Sequence, residues 1–170
     1  DKPLTLERLF GWHNALFPRG YSGLSKINVA EFRGEDPMEV IGGAAGKEKT
    51  YYVAPPRSIL EHEMERYLQW FNTTPPSLIK ACIAHLWFVI IHPFDDGNGR
   101  IGRAITDLVL SKIEKSSVSR LYSMSSAINN DRNGYYKALE KTTGYVHKES
   151  SHLDITDWCE WFLTTLHTAL

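Results

Sequence analysis

Between positions 92 and 103 the chain reads His92-Pro93-Phe94-Asp95-Asp96-Gly97-Asn98-Gly99-Arg100-Ile101-Gly102-Arg103. That run gathers an imidazole, two adjacent carboxylates, a carboxamide, two guanidinium groups and a glycine-rich turn. Gly97 and Gly99 permit backbone conformations closed to other residues, so successive N–H groups can converge on one centre. A helix beginning there adds its unpaired N–H groups and its positive end to the same field. Arg100 and Arg103 are three apart and would share one helix face, where a planar guanidinium meets phosphate oxygens in pairs. Asp96 offers a hard oxygen to Mg²⁺, an ion held through one or two carboxylates together with phosphates. His92 stands just before the loop as the natural proton acceptor. Phe94, apolar within a polar run, is expected to turn back into the core and pin the loop.

The loop has to hang between two helices, and the flanking sequence supplies them. Residues 78–91 are apolar nearly all round, as in a central buried helix, and the run stops at His92-Pro93. Beyond the loop, Ile101, Ile105, Leu108 and Val109 form the inward stripe of a second helix. At the N-terminus Leu6, Leu9, Phe10, His13, Leu16 and Phe17 recur at helical spacing, with Thr5 as N-cap and Pro18 and Gly20 as the stop. Residues 21–37 read as loop. Met38 to Gly43 and Glu48 to Val53 read as a β-hairpin turning at Ala44 to Lys47 and closed by Ala54-Pro55-Pro56. Ser58 and Glu61 fit a capping box before a helix whose inward face is Ile59, Leu60, Met64, Tyr67, Leu68 and Phe71. Asp131 and Asp154 read as caps of two further helices, carrying Tyr135, Tyr136 and Leu139, then Trp158, Trp161, Phe162 and Leu166. The predicted architecture is all-α with one hairpin, in a single domain over residues 1–170.

Composition excludes several classes. Apolar residues make up 42% and charged residues 23%, and the net charge is −1. No bulk electrostatic pull toward nucleic acid or a membrane surface is implied. The most apolar stretch, Leu78 to Ile91, contains Lys80 and His85 and is too short to span a bilayer. Two cysteines, Cys82 and Cys159, fit buried free thiols in a reducing, cytoplasmic compartment. His13, His62, His85, His147, His152 and His167 read as structural, and Glu61 and Glu65 as solvated helix surface. The glycines of residues 42–46 lack a following Lys-Ser/Thr and read as the hairpin turn, not a phosphate loop. The chain opens on Asp1 and enters a helical pattern almost at once, so a fragment lacking an N-terminal regulatory region is expected.

The stretch from His92 to Arg103 resembles the signature of the Fic family, His-x-Phe-x-(Asp/Glu)-Gly-Asn-(Gly/Lys)-Arg-x-x-Arg, at every fixed position. The resemblance implies the Fic fold, a helical bundle around a central buried helix with a hairpin flap. It implies a protein adenylyltransferase that moves AMP from ATP, with Mg²⁺, to a Ser, Thr or Tyr hydroxyl of a target protein. His92 would be the base and Asp96 the Mg²⁺ ligand. Gly97 to Gly99 would cradle phosphates through their amides, Asn98 would orient the α-phosphate, and Arg100 and Arg103 would hold the β- and γ-phosphates. Ile41, Gly42, Gly43 and Ala44 of the flap would lie over the nucleotide, and the flap edge would dock the target by strand addition. Tyr135 and Tyr136 would flank the adenine or ribose, with Thr143 at the border of that pocket. Family members are often silenced by a helix bearing (Ser/Thr)-x-x-x-Glu-(Gly/Asn). Thr156 to Glu160 matches it only until Trp161, so an inhibitory helix is expected on a partner or in sequence preceding Asp1. A homodimer stays open. The rival readings are another nucleotide donor or a kinase-like reaction on the same scaffold, removal of AMP, and a silent binding module.

Overall fold

The computed structural model describes residues 2–42, 49–114, 124–143 and 153–169. Helix α3, Leu78–Ile91, is the axis of the fold. Ser77 caps it by accepting from the Lys80 N–H at 3.0 Å. Its buried face runs from Ala81 through Leu86 and Phe88 to Ile91 and leaves no polar side, as the unbroken apolar run requires. Around it pack α2, Leu60–Thr73, then α4, Asn98–Glu114, and α7, Thr156–Ala169. Helix α1, Leu6–Leu16, touches α4, while α5, Met124–Asn130, and α6, Arg132–Thr143, lean on α7. Leu9, Leu60, Phe71, Phe88, Ile105 and Trp158 share the resulting core. Among the described residues no helix is long and apolar enough to cross a membrane.

Most caps follow the sequence. Thr5 accepts from the Arg8 N–H at 3.3 Å, Asp131 from Gly134 at 3.0 Å and Asp154 from Thr156 at 2.9 Å. The box at Ser58 does not form. Arg57–Ile59 make a single 3₁₀ turn, Ile59 is exposed, and α2 starts at Leu60 without a side-chain cap. Glu61 instead accepts from Arg57 Nη1 at 2.6 Å.

Strands β3, Glu39–Gly42, and β4, Lys49–Val53, pair antiparallel with Glu39 opposite Val53 and Gly42 opposite Lys49. Val40 faces Tyr52 and Ile41 faces Thr50, so Tyr51 is the extra residue of a β-bulge. The expected turn of this hairpin lies outside the described residues. The 21–37 segment, expected to be loop throughout, contains a second small ladder. Here β1, Tyr21–Ser22, pairs with β2, Ser25–Lys26. Two-residue strands carry no alternation that a sequence reading could detect. Cys82 is buried as expected, whereas Cys159 is only half-buried; both are free thiols, with sulfurs 3.0 Å apart.

Candidate active site

Of the two glycines expected to need special backbone conformations between His92 and Arg103, only Gly97 has a positive φ; Gly99 is an ordinary helical residue in the first turn of α4. Residue 92 caps α3 in the left-handed region (φ 50°, ψ 58°), a conformation costing a non-glycine residue roughly 1–2 kcal/mol. Three bonds hold it there. Its N–H donates to Phe88 O at 3.0 Å, its ring Nδ1 donates to Val89 O at 3.2 Å, and its carbonyl accepts from Arg33 Nε at 2.8 Å. Because a carbonyl can only accept, Nδ1 carries the proton, and Nε2 keeps its lone pair. Burial lowers the His92 pKa to about 4, outweighing the opposing effects of Val89 and Asp96. The imidazole is therefore neutral near pH 7 and able to take a proton.

Phe94 turns inward as expected, stacking on His13 with ring centres 4.2 Å apart. His13 does more than fill the core. Ala30 N–H donates to its Nδ1 at 3.3 Å, so Nε2 carries the proton and donates to Asp96 O at 3.0 Å. This residue of α1 thus fixes the backbone of the loop. Asn98, expected at the α-phosphate, is buried, and its carboxamide closes a ring with Phe94. Oδ1 accepts from Phe94 N–H at 3.0 Å and Nδ2 donates to Phe94 O at 2.8 Å. Its side chain shapes the turn from within. Gly97 has φ +84°, and a Cβ there would stand 2.8 Å from Phe17 Cε2, so conformation and space both require glycine.

Helix α4 begins at Asn98, with Ile101 N–H donating to Gly97 O at 3.0 Å. Its first N–H groups open into a cleft of about 400 Å³. His92, Asp96, Gly97, Asn98, Gly99, Arg100, Arg103, Tyr135 and Tyr136 all line this space. A Cβ at Gly99 would stand 3.6 Å from Arg103 Nη1, an ordinary contact, so the space here would also admit a small side chain. Arg100 lies over the Phe17 ring at 4.5 Å, with Nη2 4.0 Å from Asp96 Oδ2. Tyr136 stacks on Tyr51 of the bulge (centres 5.0 Å, planes 17° apart), which ties the flap to α6.

Thr143 does not border the cleft. It is buried, donates to Leu139 O at 2.8 Å and lies 3.4 Å from Tyr51 O, packing α6 against β4. Seven residues beyond Tyr136 it shares that residue's helix face, but about 10 Å further along the axis. Ile41 and Gly42 lie in β3, and Gly43 and Ala44 fall outside the described residues. Sequence reasoning missed Ser22, whose hydroxyl donates to Asp96 Oδ2, and Met38, Glu39 and Arg132, which line the cleft. Arg132 alone had a signal, its place one residue after the Asp131 cap.

The Fic/DOC family model matches residues 3–110. The chain belongs to the Fic/DOC family. A Fido domain-containing protein of Dictyostelium discoideum is 36% identical over 94 residues, covering 53% of this chain and 60% of that protein. The protein adenylyltransferase Fic of Nematostella vectensis is 29% identical over 94 residues, covering 53% of this chain and 20% of that protein. This Fic chain therefore spans at most 60% of the length of either relative. Among solved structures, a Fic family protein from Desulfovibrio desulfuricans G20 superposes with TM-score 0.75 at 25% identity, over 97% of this chain and 45% of that one. Fic-1 from C. elegans superposes with TM-score 0.65 at 18% identity, over 98% and 42%, a likeness of fold. The Fic fold read from the sequence, helical around a buried axis with a hairpin beside the loop, is the fold observed.

Proposed function

We propose that this Fic chain is a protein adenylyltransferase that moves AMP from Mg-ATP to a Ser, Thr or Tyr hydroxyl of another protein. The observation that carries the reading is the imidazole of His92, neutral and with Nε2 unprotonated, on the wall of a cleft that also holds a helix N-terminus, Arg100 and Arg103. In the proposed step the target oxygen bonds to the α-phosphorus as the bond from that phosphorus to the α,β-bridging oxygen breaks. Pyrophosphate leaves, and the hydroxyl proton passes to His92 Nε2 and then to solvent. The α4 amides, Arg100 and Arg103 bind the phosphate oxygens and offset their charge. Tyr136, stacked on Tyr51 and backed by the buried Tyr135, would border the base or ribose, and β3 or β4 would offer an edge to the target chain.

Among the described residues no group of three or more His, Cys, Asp or Glu side chains could cage a metal ion. Mg²⁺ needs no such cage. Asp96 takes one hydrogen bond on each oxygen, from Ser22 and from the Gly97 N–H at 2.5 Å, and keeps lone pairs on both. A single carboxylate fits an ion shared with phosphates, and the ion would supply charge neutralisation there. The test uses ATP labelled at the α-phosphate and a lysate as acceptor. Wild type should label protein, and His92→Ala should do so about 10²- to 10⁴-fold more slowly. Label incorporated equally by His92→Ala would remove His92 from its role, and no label from α-labelled ATP together with label from a parallel sample of γ-labelled ATP would make the chain a kinase.

A further inference from the structure

We propose that Arg33 is a positioning residue that locks the base and the flap into one frame, so that imidazole and acceptor hydroxyl meet at the same point. This deepens the adenylyltransferase reading and rests on it. Arg33 lies in the loop between β2 and β3, and its side chain is 2% exposed. Its Nε donates to His92 O at 2.8 Å and its backbone N–H donates to Pro93 O at 2.9 Å. The two successive carbonyls that lead the chain away from the His92 ring are thus both held by one residue. The other arm of the fork, Nη2, donates to Pro55 O at 2.5 Å. Pro55 lies two residues past the end of β4. Between them Ala54 N–H donates to Met38 O at 2.8 Å and closes the base of the hairpin. The flap root and the α3 terminus have no covalent neighbour in common, and this guanidinium spans them.

The choice of residue fits the task. A buried cation is ordinarily matched to a carboxylate. Here, among the described residues, the hydrogen bonds of Arg33 go to carbonyl oxygens, and Asp95 and Glu35 act on it only through space. Neutralising a carboxylate would not require a fork; reaching two carbonyls on separate segments does, and a lysine ammonium cannot reproduce that geometry. A second arginine steadies the first. Arg57 Nε donates to Arg33 O at 3.0 Å, while its guanidinium rests 5.3 Å over the Phe32 ring.

Two measurements on Arg33→Lys test this. The first is amide hydrogen exchange over residues 49–55 and 88–93, which needs no substrate. Both segments should exchange at least about 10-fold faster, together, while α7 keeps its wild-type rates. Change in one segment alone, in neither, or across the whole chain would overturn the proposal. The second is steady-state transfer with the acceptor that wild type labels. The value of kcat should fall about 10- to 100-fold and the acceptor KM should rise, with the KM for ATP within about twofold of wild type. Wild-type kcat and acceptor KM would overturn the proposal too. If wild type labels no protein at all, the transferase reading fails, and the exchange result still decides the link. Should Arg33→Lys not fold, Arg57→Ala loosens Arg33 from outside and should produce the same paired exchange at smaller amplitude; unpaired change would sink the idea.

Discussion

Acidification should destabilise this protein through fully buried His85 and half-buried His92, beginning at a pH above the ordinary carboxylate range. His85 is fully buried among Tyr135, Trp158 and Phe162. Thr106 gives its proton to Gly102 O at 3.1 Å, so its oxygen accepts from His85 Nδ1 at 3.1 Å, and among the described residues Nε2 has no hydrogen-bond partner. Burial, with Arg103 adding to it, lowers the His85 pKa from 6.5 to about 3. His92 falls to about 4 for the same main cause. In both cases the folded pKa lies below the unfolded one, so the unfolded chain binds more protons and stability rises with pH. The contribution is fully present above pH 6.5 and is lost as pH falls toward 4 for His92 and toward 3 for His85. At pH 5 the unfolded histidine lies 1.5 units below its pKa, worth about 2 kcal/mol for each side chain. Together they remove about 4 kcal/mol, a large share of a typical 5–15 kcal/mol. Exposed carboxylates such as Glu7 and Asp154, whose pKa values their own hydrogen bonds lower, act further down the scale. Urea unfolding of wild type and His85→Phe at pH 7.5 and pH 5 isolates one histidine. The variant should start less stable, from altered packing, and lose about 2 kcal/mol less on acidification. Equal losses in the two proteins would refute the burial argument.

Two further outcomes follow from the loop. Gly97→Ala should destabilise the fold by about 2–4 kcal/mol, combining left-handed strain with the clash at Phe17. Adding Phe17→Leu should relieve the clash and leave the strain, so the double variant should fall between Gly97→Ala and wild type in thermal unfolding. Asn98→Ala strands the buried Phe94 N–H and C=O and should cost about 1–3 kcal/mol. Because the carboxamide shapes the turn, the same change should weaken ATP binding measured by calorimetry, whereas an Asn98 acting only on the transition state would leave that binding intact.

The parts legible in the sequence were those whose signal is local. Residues 78–91 announce a buried helix, because an unbroken apolar run of that length has no solvent face to offer. Phe94 could be placed inward from one fact, its apolarity within a largely polar run. The flap strands emerged from a cluster of β-favouring residues, and the caps at Thr5, Asp131 and Asp154 from single side chains before periodic runs. Two local rules also misled. Ser58 and Glu61 have capping-box spacing, but Arg57 reaches Glu61 first, and Ser58 sits inside the 3₁₀ turn. Thr143 has the right helical phase to join Tyr136 and the wrong height along the axis.

What could not be read is the set of long-range polar ties that aim the site. Ser22 reaches Asp96 across 74 positions, His13 reaches it across 83, and Arg33 reaches His92 across 59. Each donor sits where its type has a sufficient bland explanation: a serine in a short polar segment, a histidine on the inner stripe of a helix, an arginine in a polar loop. Composition cannot distinguish such residues from their neighbours, because the hydrogen bond exists only once the chain has brought two distant carbonyl or carboxylate groups within 3 Å or so. The consequence for function is direct. The signature from His92 to Arg103 supplies reactive groups, but their aim comes from outside it. The left-handed turn at His92 is strained for a side-chain-bearing residue, and a strained conformation persists only where surrounding contacts over-determine it. Here two carbonyl grips by Arg33, one backbone grip by His13 and the inward anchor of Phe94 do that. An intact signature grafted onto a helix pair without α1 and the 21–37 loop should therefore keep its residues and lose its geometry.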